Sequence, residues 1–141
     1  NQQSTFSMAE EFAQALTKKV EQGTQNDEDE KTGEAIKCFE EVIKEQVPKG
    51  EDLSEAMIKA KEQATYKLAT IYKNKGLVDE LIDLQKDILP LFIDFPKSKT
   101  AKIMRTLFDL TLQVEGRYQQ LIDLSMHIIQ WCDKESRSFL R

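Results

Sequence analysis

Two stretches of the sequence, 76–89 and 116–129, carry one pattern placed forty residues apart. Both begin with glycine, both contain Leu-Ile-Asp-Leu five residues further on, and both close with two aliphatic residues. The segments before them repeat in step at three apolar positions, which are Ala64 and Met104, Leu68 and Phe108, and Tyr72 and Leu112. A period of this length, built from helical patterns, is typical of helix pairs that stack to bury their apolar faces. The repeat therefore predicts an all-α fold, an α-solenoid of helix pairs.

Apolar residues spaced three and four apart predict six helices along the chain. Their predicted ranges are 7–22, 32–46, 52–75, 76–95, 98–115 and 117–134. Gly23 and Gly76 are predicted to end the first and third helices, and Pro90 to kink or shorten the fourth. Residues 136–141 are predicted to open a seventh helix.

Local signals also predict how these helices begin and how two of them are joined. Ser7 with Glu10, and Asp52 with Glu55, have the spacing of capping boxes. Residues 24–31 contain no apolar side chain and four consecutive acids, so they are predicted to form a solvated linker. An acidic binding role for this linker is the alternative.

Length and charge limit the classes of protein to which the chain can belong. A chain of 141 residues predicts one domain over 1–141, and no apolar run is long enough to cross a bilayer. The formal net charge of -5 argues against a general affinity for nucleic acid or anionic membrane. Residues 1–60 hold 14 acids and 7 bases, whereas residues 61–141 hold 11 acids and 13 bases. The second half is therefore the better candidate for a surface that faces anions.

Side chains that usually carry chemistry are scarce. Cys38 and Cys132 lie in different predicted helices without Cys-x-x-Cys spacing, which predicts free, buried thiols and a reducing compartment, cytosol or nucleus. His127 is the only histidine, so a Ser-His-Asp triad or a multi-histidine metal site has little to use. No phosphate-binding, dinucleotide-binding or zinc-protease motif is present. We therefore predict no catalytic residue, no metal and no cofactor.

Four bases lie at the predicted start of the fifth helix, and we call them the basic patch: Lys97, Lys99, Lys102 and Arg105. Positive charge at this end opposes the helix dipole, so a binding role would explain its presence. We predict that the basic patch docks an acidic protein surface. The alternative is a solvated, lysine-rich turn. Nucleic acid fits less well because no aromatic residues are interleaved.

The second half of the chain resembles the lid subunits of the proteasome regulatory particle that belong to the PCI family. The likeness rests on Lys-x-Lys-x-Ala-Lys at 97–102 and Trp-x5-Arg-x-Phe-Leu-Arg at 131–141, and Lys-Glu-Gln-Ala-Thr at 61–65 extends it. The first sixty residues match only in helix layout, although 33–43 resemble the second helix of a tetratricopeptide unit. The resemblance implies a right-handed α-solenoid of about three tetratricopeptide-like helix pairs plus the start of a seventh helix. The winged-helix PCI module that follows in such proteins is expected to be absent from this chain.

The same resemblance implies a non-catalytic scaffold arm that docks the lid to the core particle and the ATPase base in ubiquitin-dependent protein degradation. The implied partners are a core-particle α-subunit, the ATPase base and other lid subunits, in cytoplasm and nucleus, with neither nucleic acid nor membrane. Two alternatives are a related PCI scaffold of the signalosome type and a tetratricopeptide adaptor that grips a peptide through Asn74 and neighbouring lysines. The chain alone is expected to be monomeric or to pair artificially through an exposed apolar end.

Overall fold

Helices form all the regular secondary structure in residues 6–114 and 118–139, which are the residues that this computed structural model describes. In those ranges there are six: α1 Met8–Glu28, α2 Thr32–Lys44, α3 Glu55–Asn74, α4 Val78–Leu91, α5 Lys97–Leu112 and α6 Tyr118–Phe139. The predicted all-α class is confirmed. The helices α4 and α6 begin forty residues apart, as the repeat requires. The handedness of the predicted solenoid stays a prediction.

The chain divides into two compact units, one reaching to Ile71 and the other beginning at Tyr72. Whether residues 1–141 behave as one domain stays a prediction. In the first unit α1 packs along α2. The two helices contribute apolar side chains at helical spacing, and the buried ones are Ala13, Leu16, Val20, Ala35, Phe39, Val42 and Ile43.

The predicted capping box at the start of α1 is confirmed. The Ser7 amide donates to Glu10 Oε1 at 3.0 Å, and the Glu10 amide donates to Ser7 Oγ at 3.1 Å. The predicted cap of α3 is wrong in its residue, because the helix begins at Glu55 and Ser54 Oγ accepts from the Met57 amide at 3.2 Å. Asp52 lies outside the first turn and does not cap the helix.

Gly23 does not end α1, and the predicted linker at 24–31 is mostly helix. The helix continues to Glu28, and a β-carbon added to Gly23 would lie 2.6 Å from Cε1 of Phe39 on α2. Glycine is therefore present because α2 crosses α1 closely at this point. The chain turns only at 29–31, where Glu30 has a φ of 62°.

Gly76, in contrast, ends α3 as predicted. Its φ of 69° is the left-handed conformation that glycine adopts readily. The Gly76 amide donates to the Lys73 carbonyl at 3.1 Å, and the Leu77 amide donates to the Tyr72 carbonyl at 2.8 Å. These two bonds form a Schellman motif, which satisfies the last carbonyls of the helix.

Lys61 of α3 lies inside the first unit, where its side chain caps the end of α2. The residue is only 4% exposed, and Nζ donates to the carbonyls of Val42 at 2.8 Å and Ile43 at 3.2 Å, and also to that of Glu45. Carbonyls in the last turn of a helix have no partner within the helix, so the ammonium group supplies one. Burial lowers the pKa of Lys61 to about 8, while Glu45 opposes the shift.

In the second unit α4 contacts both α5 and α6. Pro90 shortens α4, which ends one residue later, and the rings of Phe92 and Phe95 then stack with centroids 4.2 Å apart. The helix α5 ends at Leu112, and the rest of its predicted range includes residues outside the described part. Residues 136–139, predicted to open a seventh helix, instead continue α6, and residues 140–141 lie outside the described part.

The two copies of the repeat share only part of their burial. Leu81 and Leu84 of α4 are buried, as are the equivalent Leu121 and Leu124 of α6. The equivalence fails at Leu89, which is 4% exposed, whereas Ile129 is 60% exposed. These four leucines, two in each copy, pack inside the unit, but α6 also presents a second apolar face to solvent.

Gln85 is a buried polar side chain at the contact of α4 with α5. Its Nε2 donates to Thr111 Oγ1 at 2.8 Å and to the Leu81 carbonyl at 3.2 Å, while Thr111 Oγ1 donates to the Leu107 carbonyl at 2.8 Å. No described residue donates to Gln85 Oε1, although the atom is buried. A buried acceptor of this kind costs about 1–3 kcal/mol.

Gln85→Met is therefore expected to raise the free energy of unfolding by about 1 kcal/mol, because it removes the buried acceptor and keeps the side-chain volume. Thr111 retains its bond to Leu107. Urea unfolding followed by the fluorescence of Trp131, which lies in the same unit, measures the change. The exposed Gln119→Met, on α6 of the same unit, provides the matched control. A loss of stability in Gln85→Met would contradict the prediction.

Candidate functional site

The basic patch lies on the solvent side of α5. Lys97, Lys102 and Arg105 are exposed and Lys99 is half-buried. At 3.6 residues per turn the four positions spread over roughly 200° of the helix circumference, opposite the buried Ile103 and Leu107. The sequence placed these residues on one helix correctly, but they cover its whole outer side rather than a single narrow face.

The start of α5 is electropositive for two further reasons. No side chain caps the helix at Pro96, and its first turn contains no acidic residue. The amides of Lys99 and Thr100 both bond to the Pro96 carbonyl, at 3.0 and 3.1 Å. The positive end of the helix dipole therefore adds to the charge of the lysines instead of being offset.

An open groove of about 630 Å³ borders the basic patch. It lies between the start of α5 and the end of α6, and the end of α4 and the turn after it form its floor. Its apolar lining includes Phe92, Phe95, Met104, Ile128 and Trp131. Lys97 lies on its α5 side and Glu135 on its α6 side, so charged groups border an apolar centre.

Sequence reasoning missed this groove. Phe92 and Phe95 follow the predicted kink at Pro90, and both are buried, but together they also form part of the floor of the groove. The sequence signal for the groove was the single tryptophan, Trp131, which lies on the same side of its helix as Ile128 and Glu135. That signal is weak, because the groove exists only where three separate segments of chain meet.

The remaining candidate residues are scattered. His127 is half-buried on α6, and Asn74 is exposed at the end of α3. The prediction of buried thiols is wrong, because Cys38 is half-buried and Cys132 is exposed. Cys132 lies on the groove side of α6.

Metal-ligating side chains do not converge within the described part of the chain. There, no group of three or more histidine, cysteine, aspartate or glutamate side chains is arranged to hold a metal ion. Among the same residues, no helix combines the length and the apolar character that crossing a membrane requires.

Comparison with known proteins gives a consistent result. The family model of the 26S proteasome regulatory subunit RPN6 N-terminal domain matches residues 16–141. A probable 26S proteasome regulatory subunit rpn6 of Schizosaccharomyces pombe is 33% identical over 107 residues, which are 76% of this chain and 24% of that protein. The 26S proteasome non-ATPase regulatory subunit 11 of Dictyostelium discoideum is 35% identical over 81 residues, which are 57% of this chain and 20% of that protein.

The homologue of that subunit in Arabidopsis thaliana is 33% identical over 84 residues, 60% of this chain and 20% of the relative. The chain thus spans about a quarter or less of the length of these relatives. No solved structure matches it. The resemblance drawn from the sequence is confirmed, and the family match extends over most of the first unit as well as the second. The chain belongs to the family of the 26S proteasome regulatory subunit RPN6 N-terminal domain.

Proposed function

We propose that this chain is a non-catalytic scaffold arm of the proteasome regulatory-particle lid, which docks the lid to the core particle and the ATPase base in ubiquitin-dependent protein degradation. The observation that carries the proposal is the family match over residues 16–141. The names of the relatives support it, because each is a 26S proteasome regulatory subunit and two of the three are called non-ATPase. The proposed location is the cytoplasm and the nucleus.

The proposed docking surface is the basic patch on α5, and its proposed partners are a core-particle α-subunit, the ATPase base and other lid subunits. An exposed cluster of bases at an uncapped helix start attracts an acidic surface and orients it during the encounter. The basic patch holds four positively charged residues in a chain whose net charge is -5, so its charge is opposite in sign to that of the chain as a whole. Complementary charge fixes orientation, and apolar burial beside it supplies most of the affinity.

Reversing the four charges of the basic patch to glutamate is expected to weaken capture of purified proteasome particles by the immobilised chain at least about tenfold. The reason is that attraction to an acidic surface becomes repulsion. Binding of the unchanged chain should also weaken as salt is raised, because exposed charges are screened. Surface plasmon resonance at two salt concentrations measures both effects.

The matched control reverses four exposed lysines elsewhere, which are Lys18, Lys49, Lys59 and Lys75. It changes the net charge by the same amount and leaves α5 intact, so capture should persist. Equal losses of capture in the two variants would mean that net charge alone weakens binding. The basic patch would then no longer be the proposed docking surface. Retention of purified signalosome in place of proteasome particles would favour the related PCI scaffold instead.

A further inference from the structure

The groove beside the basic patch has the composition of a protein-binding surface. Its centre is apolar and aromatic, and its polar side chains lie at the rim, where Lys97 and Ser136 are exposed and Glu135 is half-buried. Protein interfaces have this arrangement of apolar core and polar rim. Pockets for small ligands instead place a few polar groups inside, to fix the orientation of the ligand.

The shape of the groove favours a helix as its occupant. Two helices, α5 and α6, form its sides, and the stacked rings of Phe92 and Phe95 form part of its floor. An amphipathic helix that lies between two others inserts side chains spaced three and four residues apart. Trp131 lines one side, and buried tryptophan is among the residues that contribute most to binding energy at interfaces.

The two rims of the groove carry side chains of opposite charge. Lys97 belongs both to the groove and to the basic patch, whereas Arg105, two turns further along α5, lies about 80° away from it around the helix. The uncapped start of α5 adds positive potential there. The opposite rim, at Glu135 on α6, carries the other sign.

We infer that the groove binds an amphipathic helix of a partner protein, with its apolar face inserted and acidic residues along the edge that faces α5. The inference rests on the proposed function and deepens it, because it assigns a structural class to the acidic surface that the basic patch docks. Lys97 and the electropositive start of α5 orient the partner helix, and the groove buries it.

A synthetic helical peptide of about 18 residues tests this, with leucines at helical spacing on one face and glutamates along one flank. The peptide is titrated into the chain, and the fluorescence of the chain's single tryptophan, Trp131, is recorded. We expect a saturable change in emission and binding at least about tenfold tighter than that of the same peptide with lysines on that flank. Bound peptide should also slow alkylation of the exposed Cys132, with Cys38 in the other unit as internal reference.

Two variants locate the binding site. Ala101→Glu places a charge in the groove at an exposed position of α5 and should abolish binding, whereas Ala15→Glu, at an exposed position of α1, should leave it unchanged. Circular dichroism verifies that both variants remain helical. Absence of saturable binding, equal binding of the two peptides, or full binding by Ala101→Glu would overturn the inference.

Capture of proteasome particles separates this inference from the proposed function. If Ala101→Glu retains capture while reversal of the basic patch abolishes it, docking uses charge alone and the groove assignment is wrong. If the acidic peptide binds but no proteasome particle is captured by the unchanged chain, the groove assignment stands and the proposed function is wrong.

Discussion

Replacing Gly23 by leucine is expected to lower the free energy of unfolding of the first unit by about 3 kcal/mol. A β-carbon at this position would lie 2.6 Å from Phe39 Cε1 and 3.0 Å from Cys38 Cβ, so a larger side chain must separate α1 from α2. Phe39 is 1% exposed and lies within the core between the two helices, which leaves its ring little room to move.

The same contact reverses the usual stabilising effect of replacing a helical glycine by alanine. Gly23→Ala gains about 1 kcal/mol of helix propensity but loses more by overpacking, so we expect a net loss of about 1 kcal/mol. Gly33→Ala is the matched control and should be slightly stabilising, because Gly33 is helical and exposed and a β-carbon there would have no neighbour within 4 Å. Urea unfolding by circular dichroism, with hydrogen exchange of α1 and α2, measures both. A stabilising Gly23→Ala would contradict the close crossing.

Lys61→Met is expected to lower the free energy of unfolding by about 2 kcal/mol. Methionine preserves the apolar volume of the side chain, but the carbonyls of Val42, Ile43 and Glu45 lose their donor at the end of α2. Removal of the buried charge offsets part of that cost. Hydrogen exchange should become faster in the last turn of α2. The exposed Lys59→Met, two residues earlier on α3, should change neither quantity.

Lys61 also gives stability a specific dependence on pH. Its pKa is about 8 in the folded chain and near 10.5 for an ordinary lysine, so between these values the unfolded chain binds more protons than the folded chain. The free energy of unfolding should therefore rise as pH increases from 8 to 10.5, and it should lose this contribution as pH falls through 8. The rise should be absent from Lys61→Met. Parallel pH profiles of the two proteins would show that Lys61 titrates normally.

The groove and Lys61 illustrate the limit of prediction from one sequence. Lys61 lies four residues after Met57 and three before Ala64, so helical spacing places it on the apolar side of α3, unlike Lys59. That spacing does not reveal what its ammonium group binds, because the partners are carbonyls at the end of α2, sixteen to nineteen residues earlier in the chain. The groove depends in the same way on three segments from α4, α5 and α6, whereas the basic patch beside it is local and was found by reading the charges.

The amino-acid sequence alone was enough to predict the helical class, the family, the repeat that starts α4 and α6 forty residues apart, and the helix ends that are closed locally. Gly76 shows why: its cap is made by hydrogen bonds that span no more than five residues. Gly23 looks like an equally plausible helix end, but its role depends on tertiary packing. Its missing β-carbon leaves room for the Phe39 ring of α2, and α1 continues to Glu28. Capping is a property of one helical turn, but close approach between two helices depends on residues that are distant in the chain, and single-sequence periodicity contains no record of them.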